Sequence, residues 1–199
     1  MKRIQTFATF LFVALISISS YAQKIKVIEG DLSALKGQKS LTMEFTYNNM
    51  KVGKFDKEED YVDTKRAEYN QKEAGRGDKW AKSWVDDRKN RFEPKFNELF
   101  EKHSEIQLSP KGTKYTLIFN TSSTEPGFNV GVWRKNAEIN GEVWVVETSN
   151  KNNIIAKISL QKALGRTFGG YDFDTGLRIA EAYADAGKAF GKFIKDQLK

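Results

Sequence analysis

The sequence predicts an α+β fold, in which a mostly antiparallel sheet of four or five strands is packed by helices, including a long C-terminal helix. Apolar and polar residues alternate, as they do in half-buried strands, over residues 41–47, 114–122 and 142–161. Apolar residues at helical spacing fill residues 78–103 and 175–198. The chain has no cysteine, so packing of these elements has to stabilise the fold without disulfides.

The N-terminal residues have the pattern of a signal peptide. A basic start, MKR, precedes an apolar run over residues 7–18 and small residues at 20 and 22. The run is shorter than the ~20 residues that a spanning helix needs, although a membrane-anchoring helix is an alternative. We therefore expect a signal peptide at 1–22, a single domain at 23–199, and export to the periplasm or beyond. The mature chain should contain no transmembrane helix.

The charge of the chain is compatible with an anionic partner. Cleavage after Ala22 would remove two of 33 basic residues, which leaves 31 against 26 acidic residues and a net charge of +5. The two signs are intermingled, so an ordinary solvated surface is the alternative. Basic residues also accompany the aromatic residues after Asp78, but those aromatics have core spacing and acidic residues dilute the charge. We expect an envelope protein or an anionic glycan as partner, and no nucleic acid.

The strands are predicted in chain order from alternation. A short strand spans 25–29, and a β-hairpin is expected from arms at Glu142–Ser149 and Ile154–Gln161 with a turn at Asn150–Asn153. The core-facing residues of the two other strands are Leu41, Met43, Phe45, Tyr47, Tyr115, Leu117, Phe119 and Thr121.

Two helices are predicted between residues 56 and 103. Asp56 and Glu59 have capping-box spacing and should open a polar surface helix. Asp78 should cap a second helix, which Pro94 kinks or divides near Phe92. The apolar stripe of that helix comprises Trp80, Trp84, Val85, Phe92, Phe96, Leu99, Phe100 and His103.

The C-terminal helix is predicted over residues 175–198 with two apolar faces. Gly187 and Gly191 lie in one of them, although an interior glycine costs about 1 kcal/mol of helix propensity relative to alanine. Close approach of another backbone would offset that cost, so we expect this helix to be buried along its glycine stripe.

The segment DFDTG, residues 172–176, resembles the start of a calcium loop. Counting from Asp172, position 5 is Gly176 and position 12 is Tyr183, so the ligand pattern stops after two residues. Asp174 or Thr175 as a helix N-cap explains the segment better. We therefore predict no metal site here.

Other catalytic patterns are absent from the sequence. His103 is the single histidine and lies near a helix C-terminus, where the helix dipole would favour its charged form. The glycines at 165–170 lack the Gly-Lys-Ser/Thr ending of a phosphate loop. We predict no catalytic residue and no cofactor, while a carboxylate pair acting on glycan stays open.

Three stretches carry a resemblance to known proteins. EEDYVDTKRAEYNQKEAGRGDKWAKSW, EPGFNVGVWRKNAEING and YDFDTGLRIAEAYADAGKAFGKFI resemble a family of exported proteins of Gram-negative bacteria with no assigned function. More loosely, the hairpin and small-residue helix resemble α/β domains of periplasmic outer-membrane accessory proteins. Neither resemblance implies catalytic residues, and the chain lacks the lipidated cysteine that usually anchors such accessory proteins. The residues that carry the looser resemblance are Ile179, Ala182, Ala186, Gly187, Phe190 and Phe193.

The expected function is that of a non-enzymatic binding or accessory module of the periplasm or cell envelope. Loops that carry aromatic residues and arginine are typical recognition surfaces. One candidate is the segment 165–173, with Arg166, Phe168 and Tyr171, and the other is Trp133 with Arg134. The alternative for these aromatics is that they fill the end of the sheet. The alternative function is an envelope glycan hydrolase that uses a carboxylate pair.

Overall fold

The computed structural model describes residues 23–166 and 174–199. The described residues form nine strands, of which seven make one mixed sheet and two make a separate hairpin. The sheet strands are β1 (Lys24–Gly30), β2 (Ser40–Thr46), β3 (Lys51–Val52), β4 (Gln107–Leu108), β5 (Tyr115–Glu125), β8 (Ala137–Glu147) and β9 (Asn150–Gly165), and the hairpin strands are β6 (Phe128–Asn129) and β7 (Arg134–Lys135).

The sheet order is β1-β9-β8-β5-β2-β4, with β3 beside β5. The pairs β1–β9, β8–β9 and β5–β8 are antiparallel, as predicted, whereas β2–β5, β2–β4 and β3–β5 are parallel. The prediction of four or five strands was wrong. Strands β3 and β4 have two residues each, which is too short for alternation to mark them, so only pairing with distant strands defines them.

The hairpin between β8 and β9 is confirmed, but its turn is not where the sequence placed it. Asn150 already pairs with Glu147, so the asparagine-rich segment 150–153 belongs to β9. Asn150 pairs with Glu147 and Ile154 pairs with Val146, and the register shifts between these pairs, so residues 151–153 form an irregularity within β9 instead of the predicted turn.

The helices are α1 (Glu58–Lys72), α2 (Arg76–Asp87), α3 (Glu93–Ser104) and α4 (Thr175–Gln197). A π-helical turn, Arg88–Phe92, joins α2 to α3, and the N–H of Glu93 donates to the carbonyl of Arg88. Pro94 has no N–H to continue the α-helical ladder, so the helix divides beside Phe92 as predicted.

Two predicted helix caps were wrong. The Asp56 carboxylate accepts from Lys51 at 2.7 Å, and α1 begins without a side-chain cap. Asp78 lies inside α2, whose N-cap is Gly75 in the left-handed conformation with φ of 77°. Glycine reaches this conformation without steric cost, so the N-cap of α2 lies three residues before the predicted one.

The core lies between α3, α4 and one face of the sheet. Phe96 of α3 stacks on Phe119 of β5 with ring centroids 5.1 Å apart. A Cβ on Gly187 would lie 2.2 Å from the Phe96 carbonyl oxygen, so the predicted backbone approach is confirmed. Gly191 makes a similar approach to Phe100. Val85 was predicted to join the core stripe but is exposed, because it lies on the outer side of α2.

Candidate functional site

The predicted contact residues lie in three places relative to the described structure. Trp133 is the last residue of the β6–β7 hairpin tip, residues 130–133, and is exposed, and Arg134 begins β7 and is exposed as well. Arg166 is exposed directly after β9. Phe168 and Tyr171 lie outside the described residues, so their contacts stay a prediction.

The topology brings Arg166 and the hairpin to the same end of the sheet. Ala137, the first residue of β8, pairs with Gly165, the last residue of β9. Strand β7 ends at Lys135, two residues before that pair. The sequence could not reveal this proximity, because the register of β8 with β9 sets it.

The hairpin tip exposes an unusual concentration of apolar surface. Seven large hydrophobic side chains are exposed among the described residues, and four of them belong to the eight residues 128–135. Clustered exposure of this kind marks interaction sites, whereas single exposed apolar residues do not. The four and their exposed fractions are Phe128 at 44%, Val130 at 65%, Val132 at 92% and Trp133 at 71%.

The tip has a defined backbone conformation. The N–H of Val130 donates to the Trp133 carbonyl at 3.0 Å, which closes the turn. Gly131 has a φ of 85°, which favours glycine, and its N–H donates to Asn129 Oδ1 at 3.0 Å. In the register of β6 with β7, Phe128 lies opposite Lys135. By strand alternation, Phe128, Val130 and Trp133 then share one face of the hairpin.

The base of the hairpin is tightly packed. Gly127 has a φ of 64°, and a Cβ there would lie 2.4 Å from the Lys135 carbonyl oxygen. The Lys135 ammonium pairs with Glu125 Oε2 at 2.7 Å, and Glu125 Oε1 accepts from the Gly127 N–H at 3.1 Å. Glu125, the last residue of β5, thus contacts both the turn before β6 and the strand β7.

A buried arginine of α4 fastens this base to the body of the protein. Arg178 is 3% exposed, and its Nε donates to the Pro126 carbonyl at 3.2 Å. Its Nη2 donates to the Gly127 carbonyl at 3.3 Å and to Thr175 Oγ1 at 3.0 Å. Arg178 was not predicted from the sequence, because its partners Pro126 and Gly127 lie about 50 residues away and only tertiary packing brings them together.

A second polar network lies beneath the π-helical turn. The Tyr47 hydroxyl donates to Glu93 Oε1 at 3.3 Å, and the Tyr183 and Thr121 hydroxyls are 2.6 Å apart. The Arg88 guanidinium lies 4.1 Å from the centroid of the Tyr47 ring. Burial raises the pKa of both tyrosines far above the usual value. Both phenols therefore stay protonated at neutral pH, and the contacts of the network are hydrogen bonds and the stacking of Arg88 on Tyr47.

A pair of carboxylates meets at the start of α4. Arg91 bridges them, with Nη1 2.7 Å from Asp174 Oδ2 and Nε 3.2 Å from Asp87 Oδ1. Burial raises the pKa of Asp87. Burial also acts to raise the pKa of Asp174, but hydrogen bonds from Arg91 and two helix N–H groups lower it on balance. Both aspartates line a cavity of about 200 Å³, together with Tyr69, Trp80, Ser83, Trp84, Thr175 and Gly176.

The DFDTG segment is confirmed as a helix cap at Asp174. Its Oδ1 accepts from the N–H groups of Gly176 at 2.8 Å and Leu177 at 3.2 Å. Asp172 lies outside the described residues. Within residues 23–166 and 174–199, no group of three or more metal-ligating side chains is placed to hold a metal ion.

His103 does not behave as the helix dipole alone predicted. It lies in the last turn of α3, and its pKa is lowered, first by burial and then by nearby lysines that include Lys192 and Lys188. Burial and the repulsion from these lysines both disfavour the charged form of His103.

Comparisons with known proteins place the chain in no established family. No protein-family model matches it, and no curated protein matches it. A PelC variant solved as a dodecamer, from Paraburkholderia phytofirmans, aligns over 83% of this chain and 98% of that chain, with 9% identity and a TM-score of 0.36. In the part of the chain that the structure describes, no helix has the length and apolar character needed to cross a membrane.

Proposed function

We propose that this protein is a non-enzymatic binding or accessory module of the cell envelope, and that the β6–β7 hairpin is its main contact surface. The observation that carries the proposal is the exposure of four large apolar side chains on eight consecutive residues. Trp133 and Arg134 belong to this surface, and Arg166 lies at the same end of the sheet. The partner is an envelope component, and the export signal at 1–22 delivers the protein to it.

The way the hairpin is held supports a role in binding. The guanidinium of Arg178 and the Glu125–Lys135 ion pair fix its base, and the turn at Val130–Trp133 is closed by a backbone hydrogen bond. A surface that is already ordered loses little conformational entropy when it meets a partner. The exposed side chains contribute little to folding, so their energetic value lies in contact with another molecule.

The experiment is site-specific photocrosslinking in intact cells. A photoreactive amino acid replaces Trp133 in one variant and Ile28 in a control, because Ile28 is an exposed apolar residue of the edge strand β1. We expect a discrete crosslinked product from position 133 and none from position 28. The absence at 133 of any crosslinked product, whether with a protein or with a lipid, or the same products at both positions, would contradict the proposal.

Glycan hydrolysis is a second candidate, and the Asp87–Asp174 pair is the observation that favours it. The opposite shifts of their pKa values resemble the division between an acid and a base. Aromatic side chains in the same cavity are also suited to stacking on sugar rings. Against this role, Arg91 and the helix N–H groups occupy both oxygens of Asp174.

The two functions are separated by one assay on cell-wall glycan. If the pair is catalytic, the purified protein releases reducing sugar and Asp87→Asn abolishes the release. We expect no release by the parent protein, because both carboxylate oxygens of Asp174 already accept hydrogen bonds from Arg91 and from the first N–H groups of α4.

A further inference from the structure

The partner of the hairpin can be specified from its shape, composition and charge. We infer that the β6–β7 hairpin inserts its tip, residues 130–133, into a lipid surface that carries anionic headgroups. The inference rests on the proposed function, since it names the partner of the same contact surface.

The shape of the hairpin favours a lipid layer over a protein. Phe128 lies on the two-residue strand β6, and Val130, Val132 and Trp133 lie in the turn before the two-residue strand β7, so the hairpin is a narrow projection and not a broad face. Lipids can surround a narrow projection on all sides, so binding does not require a pocket of complementary shape.

The distribution of residue types matches the layers of a membrane interface. Val132, at 92% exposure, lies in the turn, and Trp133 follows it. Tryptophan prefers the boundary between headgroups and acyl chains, because its ring is amphipathic. The two cations Arg134 and Lys135 come directly after the apolar tip along the chain. Val130 lies opposite Trp133 across the turn, so this order places Val132 deepest, Val130 and Trp133 next, and the cations at headgroup level.

The charge of the segment selects an anionic surface. No acidic residue occurs between Pro126 and Lys135 in the sequence. Lys135 is paired with Glu125, which neutralises it in part. The chain after removal of residues 1–22 has 31 basic and 26 acidic residues and a net charge of +5, so long-range attraction acts in the same direction.

The test measures binding of the exported protein to lipid vesicles by sedimentation. The vesicles contain phosphatidylcholine alone or phosphatidylcholine mixed with phosphatidylglycerol. The double variant Val132→Ser, Trp133→Ser removes the tip, and Ile28→Ser is the matched control on β1. We expect binding to the mixed vesicles, a loss of about tenfold or more in the partition coefficient for the double variant, and parent-like binding for the control.

Three results would overturn the inference: no binding of the parent to mixed vesicles, equal binding of the double variant, or equal loss in the control. Crosslinking at position 133 then distinguishes failure of the lipid inference from failure of the proposed function. If vesicles do not bind but position 133 captures a protein in cells, the proposed function stands and the lipid partner is wrong. If position 133 captures nothing and vesicles do not bind, both proposals fail.

Discussion

Two regions of this molecule use large apolar side chains in opposite ways. In the seam between α3 and α4, Phe96, Phe100 and Phe190 are fully buried, and the rings of Phe100 and Phe190 stack with centroids 5.5 Å apart. In the β6–β7 hairpin, Val132 and Trp133 face solvent. The buried rings of the seam stabilise the fold, whereas the apolar side chains of the hairpin are available for contact with another molecule. The difference predicts that mutations will separate stability from binding.

The largest effect is expected at the glycine stripe of the seam. In Gly187→Leu the new Cβ would lie 2.2 Å from the Phe96 carbonyl oxygen, so one helix has to move. We expect destabilisation of about 3 kcal/mol, at the upper end of the range for overpacking. Urea unfolding measures the change. Lys188→Leu, at the neighbouring exposed position, is the control and should change stability little. A more stable Gly187→Leu variant would show that the two helices are not in close contact along this stripe.

A smaller effect is expected where the body of the protein holds the hairpin. Arg178→Met keeps an unbranched chain but removes the donors to the Pro126 and Gly127 carbonyls. Leaving buried acceptors without partners costs about 1–3 kcal/mol of unfolding free energy. Hydrogen exchange of the β6 and β7 amides should also accelerate, since the base is released. Unchanged exchange with lowered stability would mean that Arg178 supports α4 and not the hairpin.

The helix cap gives the next effect, and it depends on pH. Asp174→Ala removes the acceptor for two N–H groups of α4 and should cost about 1 kcal/mol at neutral pH. The pKa of Asp174 is lowered in the folded protein, so its contribution is present above the unfolded pKa and is lost as the pH falls through the folded one. The stability difference between parent and variant should therefore shrink in acid. Urea unfolding of the parent and the variant at neutral pH and in acid measures this difference. An equal difference in unfolding free energy under both conditions would contradict a charged cap at Asp174.

The seam was predictable because periodicity along the chain reports on local geometry. Phe96, Phe100, Gly187 and Gly191 recur at helical spacing, and the structure packs them as that spacing implies. Strands β3 and β4 gave no such signal, since two residues have no period. The misplaced caps at Asp56 and Asp78 show the same limit, because a short acidic motif has several possible partners.

The candidate site was predictable only in part. The aromatic and basic composition of Trp133 and Arg134 indicated a recognition surface, and both prove to be exposed. Their proximity to Arg166 depends on strand register, and their support by Arg178 depends on tertiary packing. The carboxylates of Asp87 and Asp174 are far apart in the chain, so no spacing rule could have joined them.

The smallest effect on stability is expected at the hairpin tip. Val132→Ser together with Trp133→Ser should change the unfolding free energy by less than about 0.5 kcal/mol, because both side chains are exposed and lie outside the core. Thermal and urea unfolding measure the change, and Phe119→Ser on β5 serves as the contrast, since it removes a fully buried ring. If the tip variant unfolds nearly as easily as Phe119→Ser, the tip is packed in solution and the opposition between seam and hairpin disappears. If it stays as stable as the parent while losing its crosslinked product, the apolar surface of the hairpin acts in binding and not in folding.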